Sequence, residues 1–221
     1  MDPDKPGGGV GVSFYSVAAF IRDNYPQYFG YQTYPIADCV RIRKVAEEWG
    51  VFCNFYATPI VVEGVTFKNA EQVFQLMKFK DPEIIKRIWN GITANDKICH
   101  EVKRTVKSYE KAYRRPDWGT MILDALKFAL MRKYEQCELF RTELERSRGK
   151  FIVEDQTTFP KAQPDCWGVK PAGDGVNFSG PNVLGRLLME LRDRGQLEYR
   201  LPDDALGYIT ILKKVSKNAE I

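Results

Sequence analysis

The chain has 221 residues, 44% hydrophobic and 28% charged, proportions that exclude a disordered tail, a collagen and a coiled coil. That length suits one domain, or one domain with a short appendage. A net charge of +4, from 33 basic and 29 acidic residues, is too mild to announce a nucleic-acid binder.

Residues 1–12 are rich in Gly and Pro and are expected to be disordered. Residues 13–49 form an aromatic-rich extension, with Phe14, Tyr15, Phe20, Tyr25, Tyr28, Phe29, Tyr31 and Tyr34 packing on the main body. A short helix over 17–22 precedes irregular structure, and 40–48 reads as a strand or a short helix. Ile60-Val61-Val62 and Val65-Thr66-Phe67 flank Glu63-Gly64, the pattern of a tight hairpin. Asn69 can cap a helix running to about Phe79, with Gln72 completing a capping box. Helices follow over 82–91, 94–113, 118–136 and 138–147. The third of these is the strongest, because Trp118, Met121, Ile122, Ala125, Leu126, Ala129 and Leu130 recur at three- and four-residue steps. A strand over 151–153 leads into a Pro-, Gly- and Asp-rich loop, 155–180. Gly180-Pro181 then opens a helix with Val183, Leu184, Leu187, Leu188 and Leu191 on one face, ended by Gly195. Residues 207–213 read as a final strand. The fold class is mainly α, an α+β chain with a small β element.

The rare residues narrow the chemistry. The single histidine, His100, excludes a His-rich metal site. Cys39, Cys53, Cys99, Cys137 and Cys166 form no C-x-x-C pair and suit isolated thiols in a reducing cytoplasm. No apolar run approaches the roughly 18 residues of a membrane span, and the first residues lack the pattern of a secretory leader. The expectation is a cytoplasmic protein that needs no metal or cofactor, with chemistry resting on carboxylates, lysine and aromatics.

Glu71, Gln75 and Lys78 fall within roughly 60° of one another at helical spacing, while Val73, Phe74, Leu76, Met77 and Phe79 cover most of the remaining circumference. Such a stripe faces either solvent or an internal pocket. Asp165, two residues before Trp167-Gly168, either sits against an indole wall that raises its pKa for acid–base work or caps its own turn. Asp117-Trp118 is either a helix cap with a core residue or a stacking face for a base. The amides at Gly180 and Asn182 either start a helix or receive a phosphate. The basic run 97–107 reads as a solvated helix face.

In order, these signals resemble the NADAR family, also called YbiA-like. The carrying motifs are Cys53-Asn54-Phe55-Tyr56, Glu71-Gln-Val-Phe-Gln75-Leu-Met-Lys78-Phe79, Asp117-Trp118 and Lys133-Tyr134-Glu-Gln136. Val153-Glu154, Asp165-Cys-Trp167-Gly168 and Asn182-Val-Leu-Gly185-Arg-Leu-Leu-Met189-Glu-Leu-Arg192 complete the set. The resemblance covers about residues 50–195 and implies a compact helical catalytic domain over 50–196, with 197–221 packed on it. The family's usual His beside the helix glutamate is Gln72 here, and its Trp-Gly-x-Gly is Trp167-Gly168-Val169-Lys170.

The resemblance implies an N-glycosidase. Its substrates would be ADP-ribose on guanine, in nucleic acid or nucleotide, or phosphorylated intermediates of riboflavin synthesis. A cognate ADP-ribosyltransferase toxin would then be a functional partner. Glu71, Lys78 and Asp165 are the expected catalytic residues. The two acids would serve the oxocarbenium centre and the leaving base, and Lys78 would serve as a charge or a Schiff-base nucleophile. Asn54, Phe55, Tyr56, Gln75, Trp118, Lys133, Glu154, Trp167, Gly168, Gly180, Asn182 and Arg192 are the expected substrate contacts. The extension and the long loop before Asn182 favour the bulkier ADP-ribosyl substrate. A module that binds ADP-ribose or a modified base without cleaving it is the competing class.

Overall fold

In the computed structural model, residues 17–93 and 101–218 are described. The stretch expected to be disordered and the segment containing Cys99 and His100 lie outside them. The described residues form an α+β fold in which helices dominate and three small sheets lie at the periphery.

Helix α5, Trp118–Gln136, is the central strut. Its periodic apolar residues are all buried, and it packs against α1 (Val17–Asn24), α2 (Ala70–Leu76) and α6 (Glu138–Arg146). Each of the large aliphatic side chains among them contributes about 1.5–3 kcal/mol when fully buried, so this helix anchors the core. Helix α3, Pro82–Thr93, starts where the Asp81 carboxylate accepts the amides of Glu83 and Ile84. It packs against α4, Glu101–Tyr113, the described part of the helix expected over 94–113.

The expected hairpin forms from β3 (Ile60–Val62) and β4 (Val65–Phe67). Its turn takes positive φ at both Glu63 (46°) and Gly64 (85°), the conformation a two-residue hairpin loop needs. The Gln136 side chain bonds both the amide and the carbonyl of Val61, at 2.8 and 2.9 Å, and ties the hairpin to the end of α5.

Three expectations need correction. The stretch after the first helix is not wholly irregular: β1 (Gln32–Pro35) is a strand, while β2 (Cys39–Ile42) realises the strand alternative read over 40–48. β2 runs parallel to β5 (Phe151–Glu154), with Ile42 opposite Glu154. The loop 155–180 contains β6 (Lys170–Pro171) and β7 (Asn177–Gly180), and β7 pairs antiparallel with both β1 and β6. Each of these strands is two to four residues long, too short for a local period to announce it. Residues 207–213 are not a strand but the start of helix α8, Gly207–Asn218. Tyr208, Ile209 and Leu212 share one buried helical face against α3, and that packing overrides the local β-branched alternation. Helix α7, Val183–Arg194, ends as expected at Gly195, whose φ is 71°.

Candidate active site

Helix α2 supplies the first wall. Asn69 caps it, accepting the Gln72 amide at 3.0 Å, while Gln72 Oε1 accepts the Lys68 amide at 2.8 Å. The helix stops at Leu76, earlier than the expected Phe79, and Lys78 lies in the turn beyond, its amide donating to the Gln75 carbonyl. The polar stripe does not face solvent: Glu71, Gln75 and Lys78 are 6%, 3% and 8% exposed. Gln75 Nε2 donates to Glu71 Oε1 at 2.7 Å, which fixes the orientation of both groups. The Glu71 amide donates to the Asn54 carbonyl at 3.1 Å, bringing the Asn54-Phe55-Tyr56 segment to the same helix end. Asn54 Oδ1 and Gln75 Oε1 are buried and have no hydrogen-bond partner among the described residues. A buried acceptor left unpaired costs about 1–3 kcal/mol, so two of them beside a buried carboxylate mark a place prepared for donors from outside.

The Lys78 ammonium is enclosed. It pairs with Glu110 of α4 and stands 5.9 Å from the Phe74 ring centre and 5.7 Å from that of Trp118. Burial pulls its pKa below the usual lysine value, while the negative charges of Glu110 and Glu71 oppose the fall. Trp118, only 1% exposed, is therefore a wall behind Lys78 and not an open stacking face for a base. Asp117 makes no side-chain cap. Its carboxylate receives the Arg115 guanidinium at 2.6 and 2.8 Å.

The second wall is the end of β5 with the loop that follows. Glu154 is half-buried and its carboxyl is pushed up to about 7, by burial first and then by the negative charges of Asp165 and Glu71. Lys103 of α4 opposes that rise and also acts on Lys78, so one charge neighbourhood spans both walls. Of the two readings of Asp165, the self-capped turn is realised. Its Oδ1 accepts Gln156 Nε2 at 2.5 Å and the Trp167 amide at 2.9 Å, and the side chain is exposed. Trp167 is half-buried, edge-on to Phe74 at 6.4 Å, and keeps surface toward the open side.

Several expected contacts hold the walls together. Asn182, fully buried in a left-handed conformation with φ of 52°, accepts the Glu154 amide through Oδ1 at 3.1 Å. Its Nδ2 donates to the Ile152 carbonyl at 2.9 Å. The amides of Asn182, Val183 and Leu184 donate to the carbonyls of Gly168, Cys166 and Trp167 at 3.1, 3.1 and 3.2 Å. The helix start at Gly180 is thus closed by backbone carbonyls and does not offer these amides to a phosphate. Glycine is required where the segments meet: a Cβ on Gly168 would stand 2.3 Å from the Glu154 carbonyl oxygen, and one on Gly185 2.1 Å from that of Ile152.

Lys133 is 0% exposed, with its ammonium donating to the carbonyls of Val51 and Cys53 at 2.6 and 2.9 Å. Burial lowers its pKa to about 8. It shapes the chain before Asn54 from behind, next to the half-buried Tyr56. Arg192 binds the carbonyls of Ser147 and Lys150 at 3.0 and 2.8 Å, ahead of β5. A four-residue strand spans about 13 Å, so Arg192 works at the far end from Glu154.

Sequence reasoning missed Glu110, Lys103 and Gln156. The basic run is solvated as expected, and it also borders the site: exposed Lys103 and Lys107 are followed at helical spacing by Lys111 on α4 and by Arg114 just past its end, over about 16 Å. Lys107, Glu110, Lys111 and Arg114 line a groove of about 340 Å³ there. The spacing within α4 was readable, but nothing local links Glu110 to a lysine 32 residues earlier. Among the described residues, no cluster of three or more His, Cys, Asp or Glu is placed to hold a metal ion. Among the same residues, no helix is long and apolar enough to cross a membrane.

Known proteins resemble the chain over most of its length. Residues 42–195 match the NADAR domain family. The N-glycosidase YbiA of Shigella flexneri is 30% identical over 162 residues, covering 72% of this chain and 89% of the relative. A riboflavin biosynthesis protein of Vibrio vulnificus is 25% identical over 167 residues, which is 76% of this chain but 41% of that protein. The NMR structure of Escherichia coli YbiA superposes with a TM-score of 0.53 at 27% identity, over 71% of this chain and 83% of that one. The chain belongs to the NADAR family, and its class is that of the N-glycosidases, hydrolases acting on N-glycosyl bonds.

Proposed function

We propose that the chain hydrolyses the bond between a ribose C1 and a base nitrogen, and that its substrate is ADP-ribosyl-guanine in nucleic acid or nucleotide. The observation that carries the reading is the meeting of Glu71, Lys78 and Glu154 in one charge neighbourhood, beside two buried acceptors that have no partner among the described residues. Cleavage needs a negative charge beside the developing oxocarbenium ion and a proton for the departing base. Glu71, oriented by Gln75, serves the first need. Glu154, with a pKa of about 7, holds the proton for the second. Asp165 acts through Glu154, keeping its proton affinity high, because its own Oδ1 is occupied.

Lys78 in its neutral form attacks C1, and the C1–N electron pair leaves with the base, which takes the Glu154 proton. The ring then opens to a Schiff base on Nζ, and water returns the free sugar and the lysine. Asn54 Oδ1 and Gln75 Oε1 accept from substrate O–H or N–H groups, and Trp167 flanks the base.

The basic side of α4 supports an ADP-ribosyl substrate, since two phosphates and a nucleic-acid strand both gain from Lys103, Lys107, Lys111 and Arg114. The extension no longer carries that argument: its strands brace β5 and β7, and Arg41 pairs with Asp155. The similarity to the Vibrio riboflavin protein favours a second reading, a ribosylamino-pyrimidine phosphate. The test is kcat/KM on an ADP-ribosylated guanine oligonucleotide and on the riboflavin intermediate at one salt concentration, with free ADP-ribose measured directly. A ten-fold preference for the intermediate, about 1.4 kcal/mol in transition-state binding, would reverse the substrate assignment.

A further inference from the structure

We infer that Glu110 is a positioning residue for Lys78: it holds the ammonium between the Phe74 and Trp118 rings, and it takes the proton Lys78 must lose before attacking the sugar. The inference rests on the nucleophilic role of Lys78 proposed above, and it adds a residue from outside the family motifs. Its basis is geometric. Lys78 is 8% exposed, and among the described residues its ammonium has one carboxylate in hydrogen-bond contact, Glu110. Aromatic rings cover two sides. Glu71, the other acid near it, is already engaged by Gln75. A proton leaving Nζ therefore has a carboxylate acceptor in direct contact.

The position of Glu110 also explains how the proton gets out again. Its side chain is 29% exposed and borders the groove shared with Lys107, Lys111 and Arg114. The transfer balances simply: ammonium and carboxylate become amine and carboxylic acid, and the acid is reionised through the groove as the cycle closes. The Schiff base later receives its proton back when water releases the sugar.

The charged groups acting on Lys78 are Glu110 and Lys103 from α4 and Glu71 from α2. α5 presents the Trp118 ring. Next to this set, Arg115, Asp117, Lys80 and Asp204 pair with one another. Glu110 stabilises the ammonium, so removing its charge lowers the Lys78 pKa and makes the amine available at lower pH. It also takes away the proton's acceptor. A residue that merely packed there would do neither.

The full chain is used for the test. Trace acetylation with acetic anhydride, followed by peptide mass analysis, reads the fraction of neutral Lys78 against pH without any substrate. Glu110→Gln is expected to move the Lys78 midpoint down by about one pH unit or more, the usual scale for losing an adjacent opposite charge. It should also lower kcat by about 10²-fold. Glu110→Asp keeps the charge but draws it back by one methylene, so its midpoint falls between the two. Should the Gln variant fail to fold by circular dichroism, the Asp variant carries the test with the same sign. Coincident midpoints in wild type and variant overturn the inference. Borohydride trapping on the wild-type enzyme separates the two levels. With no adduct on Lys78, the nucleophilic role fails even if the Glu110 coupling is measured.

Discussion

On the α2 wall, among the described residues, Gln75 and Asn54 keep acceptors without partners, and a buried lysine meets a single carboxylate. Across from it, Asn182 uses both ends of its amide on β5, Gln156 and Asp165 bond each other twice, and the α7 amides close on three carbonyls. Both walls are built from family motif residues, yet they treat their polar groups in opposite ways. On one wall polar groups are held ready for something not of the chain. On the other they are mutually satisfied and fix the backbone. Glu154 is the exception on the second wall, a carboxyl pushed up to about 7 by burial and by the charges of Asp165 and Glu71. Motif membership therefore does not separate groups that meet substrate from groups that hold them in place. An unmet acceptor close to the buried Glu71 carboxylate is the better guide, since lack of a partner alone, among the described residues, also marks Arg186 Nη1 and the Tyr208 hydroxyl.

The largest expected effect tests the open wall. Glu71→Gln keeps the shape and removes the charge beside the sugar. Turnover should fall by 10²-fold or more while the circular dichroism spectrum and melting temperature stay near wild type. A variant retaining more than about a tenth of the rate would show that the buried stripe is structural.

Next is Glu154, where the walls meet. Its folded-state pKa of about 7 lies above the ordinary value of 4.5. Below the ordinary value, folded and unfolded chains are both protonated and stability is unaffected. As pH rises from there to about 7, the unfolded chain ionises first, so the folded state loses stability relative to it. By the linkage relation that loss reaches about 3 kcal/mol above pH 7. Glu154→Gln removes the titration and should raise the stability measured by denaturant unfolding at pH 8. The same change should erase the fall of kcat/KM with rising pH through about 7 and lower the rate at every pH. If the variant is no more stable at pH 8 than wild type, Glu154 is not the strained acid.

How much of this was legible beforehand follows from where each signal resides. The strut α5, the hairpin and the Asn69 cap were readable because each is written in consecutive residues at helical or turn spacing. β1 and β7 were not, since they pair across more than a hundred residues, and β6 was not, since two residues are too few to show a period. The carboxylate and lysine of α2 were legible as a stripe, but only burial decides between a solvated stripe and a pocket. Glu110 carried no local mark at all. Asp165, Asn182 and Arg192 stood in the right motifs, while their hydrogen bonds give them supporting places.

Asn182→Ala tests the closed wall. It frees the Glu154 amide and the Ile152 carbonyl, both inside the clamp between β5 and α7. The left-handed backbone at this position also suits alanine less well than asparagine. A loss of about 2–3 kcal/mol is expected in chemical unfolding. KM should change little if Asn182 touches no substrate, and a large rise in KM at unchanged stability would move it to the open wall.

The smallest effect belongs to Arg192, and it separates scaffold from site most cleanly. Its guanidinium joins the end of α7 to the carbonyls of Ser147 and Lys150, just ahead of β5. Asp193 beside it is half exposed, so that ion pair contributes little. Arg192→Lys keeps a cation but loses the planar fork that reaches two carbonyls at once. Unfolding should then shift by about 1 kcal/mol, the net worth of one or two lost hydrogen bonds. The strand remains fixed at its other end by Asn182, so Glu154 keeps its place and kcat/KM should stay within about two-fold of wild type. A ten-fold rise in KM without loss of stability would mean that the guanidinium reaches a substrate phosphate. The division between a holding wall and an open one would then fail at this residue.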